Sequence, residues 1–362
     1  MIVHYTLFQG KEFGNGAYRR SFQIASLLST LDEEVITLSK YPVQKNDVSL
    51  LERVKLAFRF SKFLGYQKLD FNTLRYKVLD IILWKKYLTS LKTKDEDLKV
   101  VIDLSYYSDE ALVFACYELG IEMIGILHNM ESLVHQQKSH LSGKVAPDWF
   151  FEEINLLKFF SSIYTISREE QWLLSLYGIK AHYLPYVPSE NVISNCLAIK
   201  KLRQHSEKKY YLSIGTASNP PTVEGFKELI YIFEGLNLDE KLVIGGYDTE
   251  KMASFLSNKT KKVYLKGALS EKELEQVLVE CKAIIIHQKP TTGALTKIPE
   301  LLLSGIPVIC NTSSARNYYY LNGVHVYKTG NELKKILKHP KLLAPFDFNL
   351  ENKNKKFLDE FN

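Results

Sequence analysis

The chain has 362 residues, of which 46% are hydrophobic and 24% charged, and it carries a formal net charge of +6. That is more than one ordinary core fills and suits two domains, and the apolar-to-charged balance excludes a disordered or fibrous chain. The four cysteines, Cys116, Cys196, Cys281 and Cys310, form no CxxC and have no histidine at ligand spacing, so we expect reduced thiols, a cytoplasmic address and no metal site.

The opening MIVHYTLFQG runs directly into a strand and lacks the charged start and long apolar run of a signal peptide. No apolar run approaches the ~20 residues of a spanning helix. In the first half, apolar runs bounded by polar residues predict strands at Ile2–Phe8, Glu34–Ser39, Lys99–Tyr106, Glu122–Asn129, Ser162–Ser167 and Ala181–Tyr186. Helical patterns such as Ala17–Ser29 and Glu110–Leu119 alternate with them. The second half repeats the theme in KYYLSIG, KLVIGG, KVYLKG, AIIIHQ and IPVICN, with helices expected at Val223–Glu234, Thr249–Leu256, Glu271–Glu280 and Lys297–Leu303. Such alternation is that of parallel sheets covered on both faces. We therefore expect two doubly wound Rossmann-like α/β domains facing a central cleft, at residues 1–187 and 207–345. The stretch Pro185–Ser206 has two prolines and little periodicity, so 188–206 reads as a linker, and 346–362 as a tail packing back on the first domain.

Positive charge is concentrated between Leu51 and Lys94, where eleven basic residues meet three acids, interleaved with VKLAFRFSKFLGY and DIILWKKYL. This pattern suits a helix lying on an anionic membrane surface, and equally a helix pair with solvated basic faces and a buried stripe. No nucleic-acid-binding module is recognisable. The expected station is accordingly the cytoplasm, with peripheral attachment to the inner face of the membrane as the lipid reading's consequence.

Ligands of doubly wound sheets bind beyond the carboxyl ends of the strands, so the loops there hold the candidates. The first, Phe8–Ser21, carries Gly10, Gly14 and Gly16 ahead of a helix that offers N–H groups to an anion. It is not a dinucleotide fingerprint, because Arg19 stands where a third glycine belongs and the second strand ends in Leu38-Ser39 without an acid. The second loop places His128, Asn129 and Glu131 at a strand's end, with His135 and His140 at irregular spacing beyond. The third runs from Thr291 through Thr292, Gly293, Ala294 and Leu295 to Thr296, a candidate N-cap, with Pro299 in the first helical turn. Lys297 adds positive charge there, and Glu300 presents two acceptor oxygens suited to a ribose diol. Gly215 with Thr216, and Lys266 with Gly267, end two strands of the second half and join the candidates.

These segments resemble those of GT-B glycosyltransferases, closest to glycosyltransferase family 4. The resemblance rests on GNGAYRRS, ILHNMES, SIYTISREEQWLLSLYGIKAHYLPYVP, SIGTASNPPTVEGFKEL and, most specifically, GALTKIPELLLSGIPVI. It implies transfer of a sugar from a nucleotide-sugar, UDP- or GDP-linked, to a glycan or lipid-linked acceptor, with retention at the anomeric carbon and no bound metal, in surface polysaccharide or glycolipid assembly. By resemblance Glu300 would hold the ribose, Lys297 the diphosphate, and the backbone of Thr292–Leu295 the phosphates and sugar. Gly16 would approach the phosphate, and His128 the transferred sugar. Two departures stand out: Thr292 occupies the position of the first of the family's two glutamates, and the usual Arg/Lys pair after Gly215 is missing. Lys297, Lys289, Arg19 or Arg20 would have to serve instead. A nucleotide-sugar epimerase of the same fold and a non-catalytic nucleotide-sugar-binding scaffold are the rival readings.

Overall fold

The computed structural model describes residues 1–9, 12, 14–40, 49–65, 71–104, 110–134, 137–139, 142–236, 238–256, 262–339 and 354–361. Gly10, His135, His140 and residues 346–353 of the tail lie outside these. The chain forms two units, Met1–Tyr186 with Thr292–Ala294 and Asn352–Asn362, and Val187–Thr291 with Leu295–Glu351.

The first unit is built on six parallel strands: β1 (Ile2–Tyr5), β2 (Val35–Leu38), β3 (Lys99–Leu104), β4 (Glu122–Leu127), β5 (Ser162–Thr165) and β6 (Ala181–Tyr183). They lie in the order β2-β1-β3-β4-β5-β6. Parallel neighbours need long crossovers, here supplied by α1 (Gly16–Leu28), α2 (Leu50–Phe63), α3 (Phe71–Lys92), α4 (Glu110–Leu119), α5 (Asp148–Leu157) and α6 (Arg168–Leu176). Burial on both faces explains why β3 and β4 read as KVVIDL and EMIGIL, apolar nearly throughout. One core lies between the sheet and α3, whose Ile81, Trp84 and Leu88 are inaccessible to water. Trp84 meets Tyr5 edge-on at 5.5 Å.

The second unit holds β7 (Tyr210–Ile214), β8 (Leu242–Gly245), β9 (Val263–Leu265), β10 (Cys281–Ile286), β11 (Val308–Asn311) and β12 (Val324–Tyr327), in the order β12-β11-β10-β7-β8-β9. Its helices are α7 (Glu190–Gln204), α8 (Pro220–Gly235), α9 (Glu271–Glu280), α10 (Lys297–Leu303), α11 (Thr312–Ala315) and α12 (Gly330–Lys338). The last helix, α13 (Lys355–Leu358), belongs to the first unit, where Phe357 is fully buried beside Ile2, Ile24 and Tyr164 and Lys99 Nζ donates to the Glu360 carbonyl at 2.6 Å.

Three elements differ from the sequence expectation. The segment read as a linker is mostly α7, a helix whose start is capped by Ser189 and whose Arg203 is buried. Arg203 donates to the carbonyls of Leu278, Cys281 (3.0 Å) and Gly305 (3.2 Å), which anchor the helix by polar contacts that carry no hydrophobic period. The second sheet has a sixth strand, β12, paired among the described residues only with β11 and mostly accessible along its length, hence without an apolar run. Residues Thr249–Phe255 form a 3₁₀ rather than an α-helix.

Candidate functional site

In the second unit the candidate residues gather where the strands end. Gly215 follows β7, and its N–H donates to the Gly245 carbonyl at 3.1 Å. Gly246 follows β8, and its N–H donates to the Gly267 carbonyl at 2.8 Å. A Cβ on Gly246 would lie 2.0 Å from the Gly215 oxygen, so only glycine lets these two turns approach. The sequence reading named Gly215 and Gly267 but passed over Gly246, whose GG doublet was the available signal. Thr216 and Lys266 are exposed on either side.

Lys297 opens α10 beneath these turns. Its Nζ donates to the Ile214 carbonyl at 2.8 Å, and no carboxylate among the described residues pairs with it. The residue keeps some accessible surface, yet its ammonium is enclosed by protein. Burial pushes its pKa down to about 8, with the neighbouring Cys310 thiol pulling weakly the other way. The alternative cations are already engaged. Lys289 is ion-paired with Glu228, Arg19 Nε donates to the Gly14 carbonyl at 3.0 Å, and Arg20 is buried against Gln23 (2.8 Å) and the Pro185 carbonyl (3.3 Å). Glu300 lies half-buried in the first turn of α10. Thr296 occupies the N-cap position, but its backbone is already helical (φ −54°, ψ −26°) and its hydroxyl caps nothing. The helix is 7 residues long, so positive potential here comes from the Lys297 ammonium rather than from a helix terminus.

The remaining loop residues, Thr292–Ala294, belong to the first unit. Thr292 Oγ1 donates to the Met130 carbonyl at 3.0 Å. The Gly293 N–H donates at 2.9 Å to Glu170, which also accepts the Met130 N–H at 2.8 Å. Gly293 has φ +73°, and a Cβ there would fall 2.0 Å from Asn129 Oδ1. The Gly293 N–H, which the resemblance assigned to phosphate, is thus satisfied by a protein carboxylate. Glu170 itself was missed, although its place just after β5, as N3 of a Ser167-capped helix, was legible.

His128 follows β4, buried, with its ring 5.5 Å from that of Phe8. Its Nε2 lies 3.7 Å from Asp103 Oδ2, an electrostatic rather than a hydrogen-bonding separation. Asp103, on β3, is the hub of this cluster: Oδ1 meets His4 Nε2 at 3.2 Å, and Oδ2 accepts from Ser21 Oγ. Burial alone would raise the Asp103 carboxyl, but His4 and His128 outweigh it and hold it well below the usual carboxylate range. The sequence reading missed Asp103, a single acid inside an apolar run, along with His4 and Ser21. In the loop that follows His128, the N–H groups of Glu131 (3.0 Å) and Ser132 (3.2 Å) donate to Glu153, and burial pushes its carboxyl up to about 7 against those bonds. At the glycine loop, Gly14 has φ +146° and Gly16 opens α1. The N–H groups of Ala17 and Tyr18, which the sequence offered to an anion, are capped by Asn15 Oδ1 at 3.1 and 3.3 Å. Among the described residues no group of His, Cys, Asp and Glu could hold a metal ion.

No protein-family model matches the chain, and no curated protein matches it. Solved structures do. S. aureus TarM aligns over 78% of this chain and 58% of its own, with 14% identity and a TM-score of 0.57. This chain therefore spans less than two thirds of TarM's length. A glycosyltransferase from Rickettsia africae aligns over 94% and 89%, with 13% identity and a TM-score of 0.54. The UDP-GlcNAc 2-epimerase of Methanocaldococcus jannaschii aligns over 97% and 94%, with 11% identity and a TM-score of 0.51. The fold is GT-B, two Rossmann-like domains. At these identities the likeness establishes the fold alone.

Proposed function

We propose that this chain is a glycosyltransferase that moves a sugar from a nucleotide-sugar to a hydroxyl of a glycan or lipid-linked acceptor. The observation that carries the reading is the Lys297 ammonium, enclosed and bonded to a neutral carbonyl with no carboxylate partner. A buried charge of this kind costs several kcal/mol unless something compensates it, and a nucleotide diphosphate settling over the Gly215–Gly246 turns would do so. The TarM structure solved with UDP and the Rickettsia glycosyltransferase support this class of ligand and reaction.

In the proposed reaction the bond from the anomeric carbon to the diphosphate breaks and the acceptor oxygen bonds to that carbon. The acceptor proton passes to the departing diphosphate. Lys297 stabilises the charge that develops on the leaving group, so we assign no metal to the step and expect turnover to persist in chelator. Glu300 is assigned to the ribose. His128, 3.7 Å from Asp103, is assigned to the transferred sugar on the family resemblance. Retention, membership of family 4 and a role in surface polysaccharide or glycolipid assembly rest on that resemblance alone.

A thermal-shift panel of UDP, GDP, ADP, CMP and dTDP, run on wild type and Lys297→Met, tests the proposal. One diphosphate should raise the melting temperature of wild type and leave the variant unmoved. Incubation of the matching nucleotide-sugar without acceptor then separates the readings, since an epimerase turns it over and releases sugar while a transferase largely waits for acceptor. Stabilisation of both proteins by the same nucleotide would remove Lys297 from the site.

A further inference from the structure

The structure sorts the basic, aromatic segment into two unlike helices. In α3, Val78, Ile81, Trp84, Leu88 and Leu91 are buried and the helix belongs to the core. In α2 only Leu56 and Phe60 are buried, with Phe63 packed on Phe159 and Phe114 at ring distances of 4.1 and 5.0 Å. The outward face of α2 is apolar as well: Leu50, Leu51, Val54 and Phe58 are 78%, 65%, 59% and 63% exposed. At about 100° per residue these four share roughly 100° of arc on the side away from Leu56 and Phe60. Lys55, Arg59 and Lys62, all exposed, border that arc on one side, and Arg53 borders it on the other. An open groove of about 910 Å³ continues the surface toward α3, lined by Val54, Phe58 and Ile82 with Lys55, Arg59 and Lys85, and with Glu52 as its one acid. Glu118 of α4 partly offsets this charge by pairing with Arg59 (2.6 Å) and Lys85 (3.4 Å).

A helix packed through one apolar stripe is ordinarily polar on the other. Here the second stripe is apolar at its centre and cationic at its rim. We infer that the exposed face of α2 docks on an anionic lipid bilayer, with Leu50, Leu51, Val54 and Phe58 entering the headgroup–acyl boundary and the flanking Lys and Arg side chains meeting lipid phosphates. A nucleic acid would leave the four apolar side chains without partners. A protein partner would need an apolar centre inside an acidic rim, which a bilayer containing anionic lipid presents over its whole surface. No described helix is long and apolar enough to cross a membrane, so this attachment lies in the interface plane.

Flotation with phosphatidylcholine vesicles, with and without phosphatidylglycerol, is the test. Wild type should bind the anionic vesicles roughly tenfold or more better than the neutral ones, and added salt should weaken that preference. Val54→Glu/Phe58→Glu should lose binding to both. Lys55→Glu/Lys62→Glu should lose only the preference for anionic lipid. Both variants change exposed positions, so melting temperature and far-UV circular dichroism serve as controls for folding, and the result stands apart from the glycosyltransferase reading. Wild type indifferent to phosphatidylglycerol, or Val54→Glu/Phe58→Glu still floating, overturns the inference. So does sedimentation showing a wild-type dimer that Phe58→Glu dissolves, which would assign the face to a second copy of the chain.

Discussion

The two units each bury a charge near the carboxyl ends of their strands, and they treat it in opposite ways. In the first, Asp103 is surrounded by His4, His128 and Ser21, and its negative charge is answered within the fold. In the second, Lys297 donates to one neutral carbonyl and pairs with no carboxylate among the described residues. A compensated buried charge organises its neighbours, whereas an uncompensated one is costly to the free protein and valuable to an anionic ligand. Under the proposed function, the contrast assigns positioning to Asp103 and binding to Lys297.

The largest effect expected from breaking this contrast is at Asp103. Asp103→Asn leaves two buried histidines facing a neutral group and should cost the first unit about 3–5 kcal/mol, read as an earlier unfolding transition in urea. A variant as stable as wild type would show that the Asp103 charge does not hold the cluster together. Lys297→Met should do the reverse, leaving stability equal or raised while nucleotide affinity falls by about 1.5–3 kcal/mol, the worth of hydrogen bonds to a charged group. Titration calorimetry measures the affinity and urea denaturation the stability. With a pKa of about 8, Lys297 carries its proton below that pH and sheds it above, so wild-type affinity should decline as pH rises past about 8. An affinity flat from pH 7 to 9 contradicts the assignment.

Glu300→Ala tests the neighbouring role. A loss of nucleotide affinity similar to or smaller than that at Lys297 is expected, with no change for a ligand lacking ribose, such as pyrophosphate. The last effect is read against pH and concerns Glu153. Its folded pKa of about 7 lies above the ordinary carboxylate value, so the unfolded chain binds fewer protons over the interval between them. The contribution of this group to stability should therefore be fully present below the ordinary carboxylate value and fall as pH rises toward 7, by at most about 1.4 kcal/mol per pH unit. In Glu153→Gln that component of the slope should vanish. A slope unchanged in the variant would place its origin in other groups.

The double-wound architecture was legible because parallel strands buried on both faces read as uninterrupted apolar runs, as VVIDL in β3 and AIII in β10 do. What escaped was held by polar contacts or by partial exposure. The anchor of α7 is Arg203 on distant carbonyls, and β12 is an edge strand with Tyr327 as its one buried residue. The candidate loops were visible as glycines and hydroxyls after strands, but which of their N–H groups are already satisfied was not. Asn15 caps the start of α1 and Glu170 holds the Gly293 N–H, neither of which a motif announces.

By itself the sequence determined two α/β halves, the order of their strands along the chain, the loops that could carry a site, and the concentration of positive charge between Leu51 and Lys94. Only the tertiary structure decided which of those positive charges face water on α2, and that the Lys297 ammonium is enclosed with no carboxylate partner among the described residues. It alone joined Asp103 to His4, 99 residues earlier, and to Ser21, 82 residues earlier. The physical reason is that burial and apolar period are local properties written residue by residue, whereas the compensation of a charge depends on which distant side chain the sheet order brings against it.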